Sequence, residues 1–322
     1  MDTVEYLIFL NKALSEEDLQ QLKCLGVIKS IRISIHGWII EVIIPRHFFI
    51  NNAYLITKQK EVNKAMSEVI ESIVALGYKI EKIETLRVDY PFTCIRDPQE
   101  SFNSYRQIWE WFGSASELQK WSVKDTGCKK ARETYTMHDT LKLGKSRNKI
   151  VIYDQHAKMK QKLSKSLFAK TLEEYPELEN RSRIEVVQRH RQVYRGSYPS
   201  LKKIKNRSYE ILEEVIFSKL ELAKKETIEE LTRKLISSRE LKANCFRLGE
   251  FIRDNKMLIY DYEILRESIK NVYKESSAKK TYKRAKKILK ELEEKEGVFY
   301  IGNFKRIEEM KKQLKKENRK KV

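Results

Sequence analysis

The chain has 322 residues, with 66 Lys and Arg against 46 Asp and Glu, a formal charge of +20. An apolar share of 41% marks a folded protein of one large domain or two ordinary ones, so the charge is not the signature of a disordered chain. Such a surplus points to a polyanion, above all nucleic acid, because Lys and Arg gain affinity by releasing condensed counterions. The alternative is a Lys-rich surface that only solvates the fold.

Cys24, Cys94, Cys128 and Cys245 are far apart and form no Cys-x-x-Cys pair, which argues against a zinc site or a disulfide framework. No apolar run approaches the roughly 18 residues that span a bilayer, so no membrane partner is expected. The sequence opens in a strand-like run, Val4 to Leu10, without the basic flank of a signal peptide, and an intracellular protein is expected.

Along the first half, strands and helices alternate. Ile31 to Ile35 and Trp38 to Ile44 flank His36-Gly37 and read as a hairpin. Val62, Met66, Val69, Ile70, Ile73 and Leu76 recur at helical spacing over residues 59 to 76, and Gly77 ends the run. A strand is expected from Tyr78 to about Tyr90, then a helix from Ser101 to Phe112 that carries Trp109 and Trp111. Thr134 to Leu143 and Asn148 to Asp154 read as a strand pair turning through Gly144. Gln155 to Lys170 reads as a helix and Ser182 to Gln188 as a strand.

From about Ser200 the pattern becomes Lys/Glu-rich helix. Gly196 and Pro199 interrupt the chain there, which suggests a first domain over 1–198 and a helical, basic DNA-binding domain over 199–322. From Lys270 to Val322, 19 Lys/Arg stand against 8 Asp/Glu. The amphipathic stretch Thr281 to Lys295, the run Gly297 to Gly302 and a last basic helix suit either a winged-helix type of module or an exposed pair of charged helices.

Three acids sit inside apolar strands: Glu41 in Ile39 to Ile44, Asp89 in Leu86 to Tyr90, and Glu185 in Arg183 to Val187. A carboxylate in a strand core is costly unless it is paired or binds a metal. Arg87 and Arg183 each precede an acid by two residues and therefore share its sheet face. Carboxylates converging from several strands suit Mg2+ or Mn2+; strand-to-strand ion pairs are the competing explanation.

Tyr153 follows the apolar run Ile150 to Ile152 at a strand-to-helix junction. Upstream, the basic turn containing Lys145, Arg147 and Lys149 suits phosphate oxygens. A tyrosine hydroxyl is a poor nucleophile at a free pKa of about 10, so nearby cations would have to stabilise developing charge. Alternatively, Tyr153 is one buried aromatic among 16 tyrosines. There is no His-x-His pair, no phosphate-binding Gly-x-x-x-x-Gly-Lys-Ser/Thr loop, and no zinc spacing among His36, His47, His138, His156 and His190.

In order and spacing, these motifs resemble the gene II/gene X replication initiators of filamentous phages and related plasmids, over about Trp38 to Arg191. The resemblance rests on Ile40-Glu-Val-Ile-Ile-Pro-Arg46 followed by Asn51-Asn52, on Leu86-Arg-Val-Asp-Tyr90, on Leu141 to Asp154, and on Ser182-Arg-Ile-Glu-Val186. It implies an α+β fold, a largely antiparallel sheet with helices on one face as in the Rep and relaxase nicking domains, followed by the helical basic region. It implies Tyr153 as nucleophile, Asp89 and Glu185 as ligands of Mg2+ or Mn2+ with Glu41 as a further ligand, and Arg87 and Arg183 in support. Lys145, Arg147 and Lys149 would hold DNA. Where many members carry Lys two residues after the tyrosine, this chain has Gln155; Lys158, one helical turn further on, would supply the charge and join the residues that hold DNA.

The expected activity is origin nicking in a bacterial host cytoplasm, on single-stranded or supercoiled DNA, giving a 5′-phosphotyrosine link and a 3′-hydroxyl for host polymerase, with a host helicase as a further partner. Two alternatives stay open. One is a non-catalytic origin-binding initiator or regulator. The other is a relaxase or transposase that uses the same tyrosine chemistry on another substrate. Tyr135 is a candidate second tyrosine.

Overall fold

A computed structural model describes residues 3–34, 37–44, 58–95, 140–143, 148–189, 200–242, 245–259, 261–296 and 303–319. The expected helix at 101–112, the turn at 144–147, Asn51-Asn52, Tyr135 and the run 297–302 lie outside them. The described residues form two compact units. The first takes those within Met1–Gln99, Trp121–Leu212 and Gln313–Val322, and the second takes those within Glu213–Lys312.

The first unit is built on a seven-stranded sheet in which all described pairings are antiparallel. Its strands are β1 (Thr3–Leu10), β2 (Ser30–Ser34), β3 (Ile39–Ile44), β4 (Ile80–Ile95), β5 (Thr140–Leu143), β6 (Asn148–Asp154) and β7 (Arg181–Arg189), in the order β2-β3-β1-β4-β7-β6-β5. The α+β class and the antiparallel sheet are as the sequence predicts. The loop of the β2–β3 hairpin is longer than the expected two residues: Ser34 pairs with Ile39, which leaves four positions between them, and Gly37 takes a φ of 83° there. A side chain at Gly37 would also bring a Cβ to 3.0 Å from that of Ala13.

Period-2 alternation gives the sheet one apolar face. Val4, Tyr6 and Ile8 of β1, Ile40, Val42 and Ile44 of β3, and Val88 of β4 are buried in one cluster. Helix α2 (Gln59–Ala75) lays Val62, Met66, Val69 and Ile73 on this cluster, at the spacing read from the sequence, and ends before Gly77 with its φ of 80°. Helix α1 (Glu16–Lys23) adds Leu22.

Between β6 and β7 the chain forms two helices where the sequence suggested one. Helix α3 (Gln155–Lys162) stops at Leu163, and Ser164 caps α4 (Lys165–Glu174) by accepting from the backbone N–H of Leu167. A 3-10 turn at Pro176–Asn180 leads into β7, and Met159 and Leu178 form the buried centre of this connection.

Helix α5 (Leu201–Leu212) belongs to the sheet unit, so the helical unit starts at Glu213 and not at residue 199. Leu201 and Ile204 join the sheet core, and Gln188 Nε2 donates to the hydroxyl of Ser208 at 2.6 Å. Glu317 returns to the same unit, where its carboxylate accepts the backbone N–H of Thr93 at 2.9 Å.

The second unit is helical throughout its described residues. After a π-helical turn at Glu213–Phe217 come α6 (Ser218–Leu241), α7 (Leu248–Asp254), α8 (Tyr262–Val272), α9 (Glu275–Glu296) and α10 (Asn303–Arg319), the last of which extends beyond this unit. Leu231 and Leu235, Ile264, Leu265 and Ile269, Ala285 and Leu289, and Phe304 and Ile307 supply its core. Asp261 ties α8 to α10: its carboxylate accepts from the N–H of Glu263 at 2.7 Å and of Phe304 at 3.1 Å. The hairpin that a winged helix would need lies outside the described residues. Among the described residues no helix is long and apolar enough to cross a membrane.

Candidate active site

The second face of the sheet is charged, and the register shows how. Residues directly opposite across antiparallel strands share a face, as do residues two apart on one strand. Arg32 stands opposite Glu41, and Glu41 opposite Leu7. Glu5 stands opposite Arg87, and Arg87 opposite Arg189. Asp89 faces Val187, Glu185 faces Pro91, and Arg183 faces Thr93 on one side and Tyr153 on the other. Glu41, Asp89, Glu185, Arg87, Arg183 and Tyr153 therefore all occupy one face, supplied by four strands. A bulge assists: Glu5 pairs with Arg87 but Tyr6 with Thr85, so Leu86 is the extra residue that restores the phase of β4.

Tyr153 and Glu185 are in contact. The tyrosine hydroxyl donates to Glu185 Oε1 in a short hydrogen bond. Tyr153 is 0% exposed and Glu185 7%. The ammonium of Lys158, on α3, lies 3.5 Å from the centre of the Tyr153 ring. This α3 begins at Gln155, two residues after Tyr153, because Asp154 caps it, accepting the N–H of Ala157 at 3.0 Å. Gln155, where the resemblance expects a lysine, is fully buried, and the described cation at the ring comes from Lys158 instead.

Asp89, 2% exposed, is held by Arg87 in a two-pronged pair, Nε to Oδ1 at 2.7 Å and Nη2 to Oδ2 at 2.5 Å. Burial works against the charge on Arg87. The bond to Asp89 and the charges of Asp89, Glu5 and Glu185 outweigh it, and its pKa is raised. Arg87 thus feels carboxylates on both sides of its strand. Asp89 and Glu185 are diagonal neighbours, about 7–8 Å apart at the backbone.

Glu41 meets a residue that sequence reasoning overlooked. Its carboxyl group interacts with that of Glu5, a diagonal neighbour across β1 and β3. Burial raises the pKa of Glu5, the interaction with Glu41 raises it further, and Arg189 and Arg87 oppose the shift. The signal that singled out the other three acids was present here too, since Glu5 interrupts the apolar run of β1 between Val4 and Tyr6.

Of the proposed DNA-binding residues, Lys145 and Arg147 lie outside the described residues. Lys149 is placed on β6 opposite Val187. Among the described residues no three His, Cys, Asp or Glu side chains are drawn together as metal ligands. No protein-family profile, curated protein or solved structure matches the chain. The likeness to the phage and plasmid initiators therefore rests on the motifs.

Proposed function

We propose that this protein nicks and rejoins DNA through Tyr153, as a rolling-circle replication initiator. The observation that carries the reading is the Tyr153–Glu185 hydrogen bond on the sheet face that also holds Asp89, Glu41, Arg87 and Arg183. The Tyr153 oxygen attacks a backbone phosphorus at an origin, and the bond from phosphorus to the 3′ oxygen breaks. The products are a 5′-phosphotyrosine link and, once the leaving oxygen takes a proton, a 3′-hydroxyl for a host polymerase. Glu185 accepts the hydrogen bond of the hydroxyl and would remove its proton as the bond to phosphorus forms. Lys158 sets a positive charge beside the nucleophile, and Arg183 lies directly across the strand pair from it.

The donor chemistry fits a hard divalent cation, since every candidate ligand is a carboxylate. Asp89 and Glu185 would hold Mg2+ or Mn2+; Glu41, opposite Leu7 and four residues along β1 from the Thr3 that faces Asp89, shares their sheet face but is not brought to them. The metal would polarise the phosphate. Asp89 would have to turn from Arg87 to take part. Strand access also requires the side chains over Tyr153 to move, because the hydroxyl is fully enclosed.

That enclosure and the Arg87–Asp89 pair favour a second reading, a non-catalytic origin-binding initiator in which Tyr153 is structural. A denaturing gel separates the two. Wild type and Tyr153→Phe are incubated with single-stranded or supercoiled DNA carrying the replicon's own origin, with Mn2+ or EDTA. A metal-dependent covalent adduct that is absent in Tyr153→Phe supports nicking. Tight binding with no adduct supports the second reading.

A further inference from the structure

In the helical unit, two cavities of about 410 Å3 each lie along α8 and α9, and Arg266 and Tyr282 line both. On α9, Lys279, Tyr282, Lys286 and Lys290 follow one another at intervals of three or four residues, so they form one row on that helix. Lys270 of α8 and Lys305 of α10 extend the positive lining. From Lys279 to Lys290 the row runs about 17 Å at the α-helical rise.

The acids in the lining are already engaged. Asp261 accepts two backbone N–H groups, Glu263 pairs with Lys224 at 2.9 Å, and Glu275 pairs with Lys279 at 2.9 Å. Glu267 engages Arg266 and Lys270. Lys286, Lys290 and Lys305 are exposed and make no ion pair with the described residues, although the ammonium of Lys286 lies 5.7 Å from the Tyr262 ring. Tyr282 is half-buried and has no hydrogen-bond or ring partner among the described residues. Burial raises its pKa, with nearby acids adding to the shift against Arg266, so the phenol is neutral and does not repel phosphate.

We propose that this groove binds single-stranded DNA, with phosphates along Lys286, Lys290 and Lys305 and a base against Tyr282. A cationic row beside an unpartnered aromatic is the arrangement that holds a single strand, because every unpaired base offers a ring face and every nucleotide a phosphate. A duplex keeps its bases stacked inside and would leave Tyr282 without a role. The inference rests on DNA being the substrate proposed above, but not on which side chain attacks it.

Fluorescence anisotropy of the full chain with a labelled oligothymidylate tests the groove. The triple variant Lys286→Gln/Lys290→Gln/Lys305→Gln is compared with Lys280→Gln/Lys283→Gln/Lys287→Gln, which removes equal charge from exposed positions of α9 outside the groove. The groove variant is expected to bind at least about tenfold more weakly and to lose about 2 from the slope of log affinity against log salt. The control should stay within about threefold of wild type. Tyr282→Leu should cost about tenfold and leave the salt slope unchanged. Thermal unfolding identifies any variant that is merely misfolded, and the surface lysine variants carry the test if Tyr282→Leu is. Equal losses in the two triple variants, or no binding of the oligonucleotide by wild type, overturn the proposal. The Tyr153 adduct is scored in parallel: a missing adduct with groove-dependent binding intact sinks the chemistry and upholds the groove.

Discussion

Lys158 places its ammonium 3.5 Å from the centre of the Tyr153 ring while Glu185 accepts the hydroxyl at the other end of the same side chain. The tyrosine is thus held between a cation and an anion inside the fold. Lys158→Met keeps the aliphatic stem and removes the charge, so it should cost about 1–2 kcal/mol of stability from the lost cation–π contact. If the charge also assists phosphoryl transfer, adduct formation falls in Lys158→Met and returns in Lys158→Arg. Chemical denaturation and the adduct gel read the two effects separately.

Tyr153→Phe removes the hydroxyl and leaves Glu185 buried without that donor. The expected loss is about 1–3 kcal/mol in urea denaturation, the cost of stranding a buried acceptor. Nicking requires more than this: the adduct should vanish under conditions where the variant is still fully folded. A variant that loses stability but still forms the adduct would remove Tyr153 from the chemistry.

Arg87 and Asp89 should behave as one unit. Asp89→Asn leaves a guanidinium half-buried beside a neutral amide, and Arg87→Gln leaves a buried carboxylate without its main counter-charge; each should cost about 3 kcal/mol. The double variant should be clearly more stable than the sum of the two losses predicts, with a coupling of about 2 kcal/mol in a denaturation cycle. Additive losses would show that the pair contributes little and that Asp89 already turns elsewhere.

Much of this arrangement was legible because strands alternate. The phase of Ile39–Ile44, Leu86–Tyr90 and Arg183–Val187 put Glu41, Asp89, Glu185 and both arginines on the faces they occupy, and the apolar run before Tyr153 gave β6 its bounds. Strand order was not legible. Nothing local in the chain says that β1 lies between β3 and β4, and without that order Glu5 is only a charge in an apolar strand. The sequence leaves Tyr153 open between a nucleophile and a buried aromatic, and its full burial depends on contacts that no local pattern reveals. Gly196 and Pro199 put a boundary before helix α5, whose lysines resemble those of the helices that follow, whereas its contacts group it with the sheet. What ties it to the sheet is Gln188 reaching Ser208, a pairing across 20 positions that no periodicity reveals.

Glu5 gives the sheet face a pH signature of its own. Its pKa is raised in the folded state by burial and by the adjoining carboxyl of Glu41, against the pull of Arg189 and Arg87. A carboxyl raised on folding favours the protonated form. Its contribution is fully present below the unfolded value of 4.5 and is lost as pH climbs through the higher folded value. Glu5→Gln is neutral at every pH and keeps the hydrogen-bonding shape, so it should unfold at higher urea than wild type at pH 7. The difference should shrink toward zero as the pH is lowered below about 4. Wild type being the more stable of the two at pH 7 would mean that the charges of Arg87 and Arg189 prevail and that Glu5 stays ionised beside Glu41.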